Sequence, residues 1–325
     1  MNATVDAAWE NATAAPQPFI EEFTVGETIF YLSCGIIGTI FNSLVLYIAL
    51  RYINTEDKPR QIIVINMTTA DLLMCVVYMI SRPWFSLLPN YVCHPYYLTI
   101  WTCQLCSCLN LVWLNVDKLI YIQFPLHYYS IVSRKRLLLV SVGTWAGLLV
   151  ITTVLVSFVT ANQGCIRISL NPYIYTIIPI FYVVMIVTSF SLSALIYFIA
   201  HNLTHMEVRQ RSKLFRRLFF LFSSTLWTFF TCLPYRVLYL FSMFCGAMCA
   251  TSMYRVSTDM FFRILVVGMV INPLITIWTQ RIYRLRLLRA FNSWKENSSS
   301  EVLMVSSNRR PSERPPDNQL LPPQA

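Results

Sequence analysis

Seven apolar stretches, each of roughly 20 residues or more, run through this 325-residue chain, and the second carries one acidic side chain, Asp71, near its middle. A run of that length satisfies its backbone in hydrocarbon only as a helix, so the sequence reads as an all-α polytopic membrane protein. The stretches are Thr28 to Arg51, Gln61 to Ser81, Tyr96 to Ile122, Leu137 to Thr160, Tyr173 to Ala200, Leu214 to Phe244 and Ser257 to Trp278. Composition agrees: 56% of residues are hydrophobic, 12% are charged, and the mean hydropathy is +0.54, far from the soluble average. A carboxylate at bilayer depth needs a partner or a task, which makes Asp71 the first candidate site.

Basic residues lie in the segments joining stretches one to two, three to four and five to six, and again from Arg281 onward, whereas Met1 to Glu27 holds acids and no Lys or Arg. The positive-inside rule then puts the N-terminus outside and the tail in the cytoplasm. The net charge of +10 follows from that topology and from the anionic inner leaflet, and does not call for nucleic acid. No signal peptide is visible, so the first helix is expected to start insertion. Asn2 and Asn11 head Asn-X-Thr acceptors on the outer side and are expected to be glycosylated, while Asn202 is placed inside and should be silent. No internal repeat or matched pair of broken helices appears, which argues against a secondary transporter. The expected organisation is an outer N-terminus (1–27), one seven-helix bundle (28–280), an amphipathic eighth helix (281–295) and a disordered tail (296–325).

Cys93 and Cys165 both fall on the oxidising side, where a disulfide tying the loop after helix four to helix three is expected. Cys245 and Cys249 could close a second small ring or remain two free thiols. Cys34, Cys75, Cys103, Cys106, Cys108 and Cys232 lie inside apolar stretches, where cysteine packs as a small apolar residue. No metal site is expected, since His201 and His205 have helical ligand spacing but no third ligand. No nucleophile motif or phosphate-cradling loop occurs, so the chain does not read as an enzyme.

One landmark per helix carries a resemblance. Helix one has Gly38-Thr39-Ile40-Phe41-Asn42-Ser43-Leu44-Val45, and helix two Asn66-Met67-Thr68-Thr69-Ala70-Asp71-Leu72. Helix three runs from Cys93 to Asp117-Lys118-Leu119 with Pro125 following, and Trp145 and Pro179 mark helices four and five. Thr231-Cys232-Leu233-Pro234 and Asn272-Pro273-Leu274-Ile275-Thr276 complete the set. Over Thr28 to Trp294 this resembles a rhodopsin-like (class A) G-protein-coupled receptor. The resemblance implies a seven-helix bundle that converts an extracellular ligand into heterotrimeric G-protein activation at the plasma membrane.

Asp71, Ser107 and Asn272, with Asn42 nearby, are polar groups expected to meet inside the bundle and to hold water or Na⁺; the alternative is that Asp71 is simply hydrogen-bonded to Asn42 and Asn272. Pro179, Pro234 and Pro273 each remove a backbone hydrogen bond, giving pivots for the inner helix ends. Asp117, Lys118 and Pro125 occupy the family's coupling positions. Departures from the family pattern are Lys118 in place of Arg, Leu119, Leu214 in place of an acid, Cys232 in place of Trp, Thr276 in place of Tyr, and Val187. They predict altered basal activity or weakened coupling, because a lysine lacks the planar fork of arginine.

Ile100 stands where amine receptors carry Asp, which argues against a monoamine ligand. Candidate ligand contacts are Arg82, Tyr97, Ile100, Trp101, Gln104, Tyr235, Arg236, Tyr239, Asp259 and Arg263. Arg236 should meet a ligand carboxylate or phosphate, or a protein acid such as Asp259. The leading ligand class is a peptide, followed by a small lipid or organic acid. Ser298 to Ser300, Ser306 and Ser307 could be phosphorylated by a receptor kinase to recruit an arrestin. Two rival readings are a receptor-like chain acting by heteromerisation or trafficking, and a transporter.

Overall fold

The computed structural model describes residues 23–87, 89–160, 172–202, 208–242, 244, 251–289 and 292. They form a bundle of seven long helices with no strand among the described residues. α1 spans Val25–Tyr52, α3 Asn90–Gln123, α4 Arg134–Thr160, α5 Pro172–Asn202, α6 Val208–Ser242 and α7 Ser252–Thr279. α2 is an α-helix over Gln61–Leu73 that widens into a π-helical turn over Met74–Met79. A short helix, α8, follows at 281–289. Six of these helices (α1, α2 with its π turn, α3, α4, α5 and α7) are long and apolar enough to cross a membrane. The remaining helix, α6, lies between α5 and α7. The end of the bundle at which α1 begins is called the upper end below, and the opposite end the lower.

α3 is the axis, packing on α2, α4, α5 and α6, while α1 closes the ring between α2 and α7. The bundle buries polar groups while leaving large apolar side chains exposed on its outer surface. On α1, Ile29, Ile36, Ile40 and Tyr47 are exposed along one stripe, while Tyr31, Gly35, Gly38 and Asn42 are buried on the other. With lipid as the outer solvent, apolar exposure costs nothing and buried polar groups must find each other.

Local chemistry sets the helix ends. α1 begins at Val25 rather than Thr28 because Thr24 and Glu27 form a capping box, each bonding the other's backbone N–H. The second stretch does not continue as an α-helix to Ser81. The amide of Ile80 bonds the carbonyl of Cys75, five residues back, and the π turn that results lies against two glycines of α1. A Cβ on Gly35 would sit 2.8 Å from Ile80 Cγ1, and one on Gly38 2.5 Å from Cys75 Sγ, so only glycine admits this approach. A 3₁₀ segment, Arg82–Leu87, follows, as Pro83 stops an α-helix at the residue before it. α3 starts at Asn90 instead of Tyr96 and carries Pro95 as its sixth residue, past the first turn, so one i→i−4 backbone bond is missing there. Pro179, Pro234 and Pro273 lie inside α5, α6 and α7.

α6 and α7 also meet closely. A Cβ on Gly268 would lie 2.8 Å from Thr231 Oγ1, and Trp227 Nε1 donates to the Gly268 carbonyl at 3.1 Å.

Candidate functional site

Every long helix except α4 contributes to an upper cavity of about 790 Å³. Of the ten candidate ligand contacts, nine line it: Arg82, Tyr97, Ile100, Trp101, Gln104, Tyr235, Arg236, Tyr239 and Asp259. The wall is aromatic. Tyr97 packs on Trp101 with ring centres 5.8 Å apart, Phe85 on Tyr96 at 4.9 Å, and Tyr235 on Phe262 at 4.9 Å. The Arg82 guanidinium lies over the Phe23 ring at 5.3 Å.

Arg263 stands outside the lining and organises its acids. Its Nε donates to Asp259 Oδ2 at 2.8 Å and its Nη2 to Glu27 Oε1 at 3.0 Å, joining α7 to the first turn of α1. Asp259 therefore pairs with Arg263, one helical turn away on its own helix, and not with Arg236, because i,i+4 neighbours meet without any tertiary rearrangement. Arg236 instead donates from Nη2 to Gln104 Oε1 at 2.6 Å, with its guanidinium 4.0 Å from the centre of the Tyr182 ring. Tyr182 donates to the same Gln104 oxygen at 3.0 Å.

Gln104, Tyr182 and Arg236 also line a second, small cavity of about 40 Å³ beneath the first, together with Asp71, Ser107 and Asn272. Ser107 Oγ donates to Asp71 Oδ1 at 2.7 Å, and Asn272 Nδ2 to Asp71 Oδ2 at 3.3 Å. Asn42 is buried, but its amide bonds the Gly38 carbonyl at 2.9 Å and the Cys75 sulfur at 3.8 Å, so its described bonds do not go to Asp71. Asn42 lies on the α1 face that packs on the π turn, and its donors are used there.

At the lower end Lys118 Nζ lies 2.6 Å from Asp117 Oδ2, and both side chains are buried. Tyr128, in a helical turn at Tyr128–Ile131, donates to Asp117 Oδ1 at 2.7 Å. Burial, and after it the Asp117 carboxylate, push this phenol well above its ordinary range, so it stays a donor. Pro125 is exposed and begins the turn closed by the His127 amide on the Phe124 carbonyl, which folds the chain back under α3. Beside it a second lock ties α2 to α8: Tyr283, wholly buried, donates to Gln61 Oε1 at 2.8 Å, and Gln61 Nε2 donates to Gln280 Oε1 at 3.2 Å.

The sequence model described as "7 transmembrane receptor (rhodopsin family)" matches residues 41–275. The chain is a rhodopsin-family seven-transmembrane receptor. It is 71% identical over 307 residues to the G-protein coupled receptor aex-2 of Caenorhabditis elegans, covering 94% of this chain and 95% of that protein. It is also 28% identical over 155 residues to Melanopsin-A of Danio rerio, covering 44% of this chain and 25% of that protein. The receptor is thus a multi-pass membrane protein that answers an extracellular ligand through a heterotrimeric G protein, and it belongs to a receptor class and not to an enzyme class.

Several residues that position the receptor's site were not singled out from sequence. Tyr182 reads as one more aromatic in an apolar run, and nothing local marks it as facing inward. Glu27 did leave a signal, since Thr24-Val25-Gly26-Glu27 has the capping-box spacing. Gln61, Tyr128 and Tyr283 left none, because each acquires its role only from a partner distant in sequence. Cys93 is disulfide-bonded; Cys165, Cys245, Cys249, Asn2, Asn11 and the tail serines lie outside the described residues. Cys34, Cys75, Cys103, Cys106, Cys108 and Cys232 are free thiols, and no metal-binding group of three His, Cys, Asp or Glu occurs among the described residues.

Proposed function

We propose that the receptor sits in the plasma membrane with its N-terminus outside, takes a peptide in the upper cavity, and couples to its G protein at the lower end through the region of Asp117, Lys118 and Pro125. The observation that carries this reading is the cavity itself. It holds about 790 Å³, a size suited to several side chains, and its aromatic walls offer stacking surfaces. Acids confined to the N-terminus and bases to the intervening loops and tail support the orientation. Cys93 with Cys165 is the proposed disulfide of the upper end, Asn2 and Asn11 the glycosylation sites, and the serines of the tail the phosphorylation sites for a receptor kinase and arrestin.

Na⁺ is proposed beside Asp71, and the residues present fit it. Asp71 supplies a carboxylate, Ser107 a hydroxyl oxygen, and Asn272 Oδ1 is a buried acceptor that receives no hydrogen bond. Those three side chains would hold the ion, and its charge would stabilise an ionised Asp71 at bilayer depth. Sodium should raise the unfolding midpoint of the purified receptor by a few degrees relative to potassium, and Asp71→Asn should remove the difference; equal midpoints in the two salts would sink the site.

The reading as a whole is tested by ligand-free cAMP and Ca²⁺ in cells expressing the receptor at matched surface levels, beside Asp71→Asn and Lys118→Ala, followed by peptide application. A signal that either substitution changes supports coupling through this bundle. Silence under every peptide and in every variant would instead favour a receptor-like protein acting by heteromerisation or trafficking, a reading motivated by the closed Asp117–Lys118 pair.

A further inference from the structure

The two cavities meet at three side chains, because Gln104, Tyr182 and Arg236 line both. Arg236 is only 8% exposed, and its guanidinium is flanked by the rings of Tyr182 at 4.0 Å and Tyr235 at 5.4 Å. Among the described residues it donates to Gln104 Oε1, a neutral amide oxygen that also receives the Tyr182 hydroxyl. A carboxylate is a far better acceptor for a guanidinium: charge-assisted bonds are roughly twice as strong as neutral ones, and the planar fork can take both oxygens at once. The surrounding wall favours the same sign. Its two described acids, Glu27 and Asp259, are both engaged by Arg263, whereas Arg82 and Arg255 add positive charge to the lining.

We propose that the part of the ligand reaching the cavity floor is a carboxylate, and that it binds Arg236 in exchange for Gln104. This rests on the receptor reading above and deepens it by naming the recognised group. The exchange has a built-in route downward. Gln104 and Ser107 are three residues apart on α3 and so share a face, and Ser107 is the hydroxyl bonded to Asp71. An amide that loses its charged donor turns within the small cavity that Asp71, Ser107 and Asn272 also line. Occupation of the floor thereby changes the hydrogen-bond partners one helical turn above the Asp71 cluster.

The probe is a matched pair that differs only in charge, 3-phenylpropionate and 3-phenylpropanamide, added at equal millimolar concentrations to the purified full-length receptor in detergent. The acid is expected to raise the unfolding midpoint and the amide is not. Arg236→Gln should weaken the acid's apparent affinity at least about tenfold. Gln104→Glu, which offers Arg236 a carboxylate from within the chain, should abolish the acid's effect and shift ligand-free signalling in cells away from that of the unsubstituted receptor. Equal midpoint shifts for acid and amide, no shift for either, or an acid effect that persists in both variants would each overturn the proposal. Acid-selective binding lost in both variants, in a chain that signals under no condition, would uphold the carboxylate site while sinking the coupling reading it was attached to.

Discussion

At the upper end six helices part around a cavity of about 790 Å³, whereas at the lower end the polar groups close on one another. There Lys118 lies 2.6 Å from Asp117, Tyr128 bonds the same carboxylate at 2.7 Å, and Tyr283 bonds Gln61 at 2.8 Å. The contrast is one of partners. Among the described contacts, Arg82 meets ring faces and Arg236 ring faces and one amide oxygen, partners that an incoming ligand can outcompete. Lower-end polar groups are met by side chains of the same bundle, which must separate before anything can replace them. One end is arranged to be approached, and the other must be opened.

The Asp117–Lys118 pair is the part of the lower end whose loss should be felt most. Breaking a buried pair by removing one partner typically costs about 3–5 kcal/mol, because a charge is left without compensation. Asp117→Asn keeps the shape and an acceptor for Tyr128 but removes that compensation from Lys118. The purified variant should unfold at a clearly lower temperature, and at matched surface level its ligand-free signalling should rise; by reciprocity an activating ligand should then bind the upper cavity more tightly. An unchanged midpoint together with unchanged basal signal would show that the pair holds nothing closed.

The second lock should give a smaller and more local effect. Tyr283→Phe leaves Gln61 Oε1 buried without its donor, a loss of about 1–3 kcal/mol. Burial pushes the Tyr283 hydroxyl well above its ordinary range, so the bond is present across the physiological pH range and the effect of its removal should not vary with pH between about 6 and 8. Amide hydrogen exchange should quicken at the α7–α8 junction and not at the upper ends of α3 and α6; equal quickening at both would mean that the two halves are less independent than the contrast requires.

Much of this was legible before any coordinates, and the reason is physical. Apolar runs near 20 residues permit one backbone solution in lipid, so all seven helices could be read from sequence, as could the meeting of Asp71, Ser107 and Asn272, because isolated polar groups at that depth must find each other. The π turn could not be read. Its register depends on Gly35 and Gly38 presenting a flat face to it, a tertiary fact with no local signature. The partner of Asp259 was open to a better reading: Arg263 lies four residues on, on the same helix, whereas Arg236 lies on another, and the local pair has the smaller entropy cost. Tyr182 shows the opposite limit. In a helix where both faces are apolar, sequence does not distinguish an inward aromatic from a lipid-facing one.

Arg263 provides the weakest and most discriminating perturbation, since it belongs to the upper end yet closes a contact instead of opening one. Its side chain is 42% exposed, and its partners Glu27 and Asp259 are 30% and 53% exposed, so water screens both bonds and each contributes about 0–1 kcal/mol. Arg263→Met keeps an aliphatic stem while removing both ion pairs and the guanidinium's place over the Phe30 ring, and the unfolding midpoint should move little. What should change is the charge of the cavity wall, because Glu27 and Asp259 would then face it uncompensated. Acid probes should bind more weakly than in the unsubstituted receptor and cationic ones more strongly, with a salt dependence that the unsubstituted receptor lacks. A variant with a large fall in midpoint and no change in acid-over-amide preference would place Arg263 with the lower-end locks, as a structural tie, and would erase the distinction drawn between the two ends.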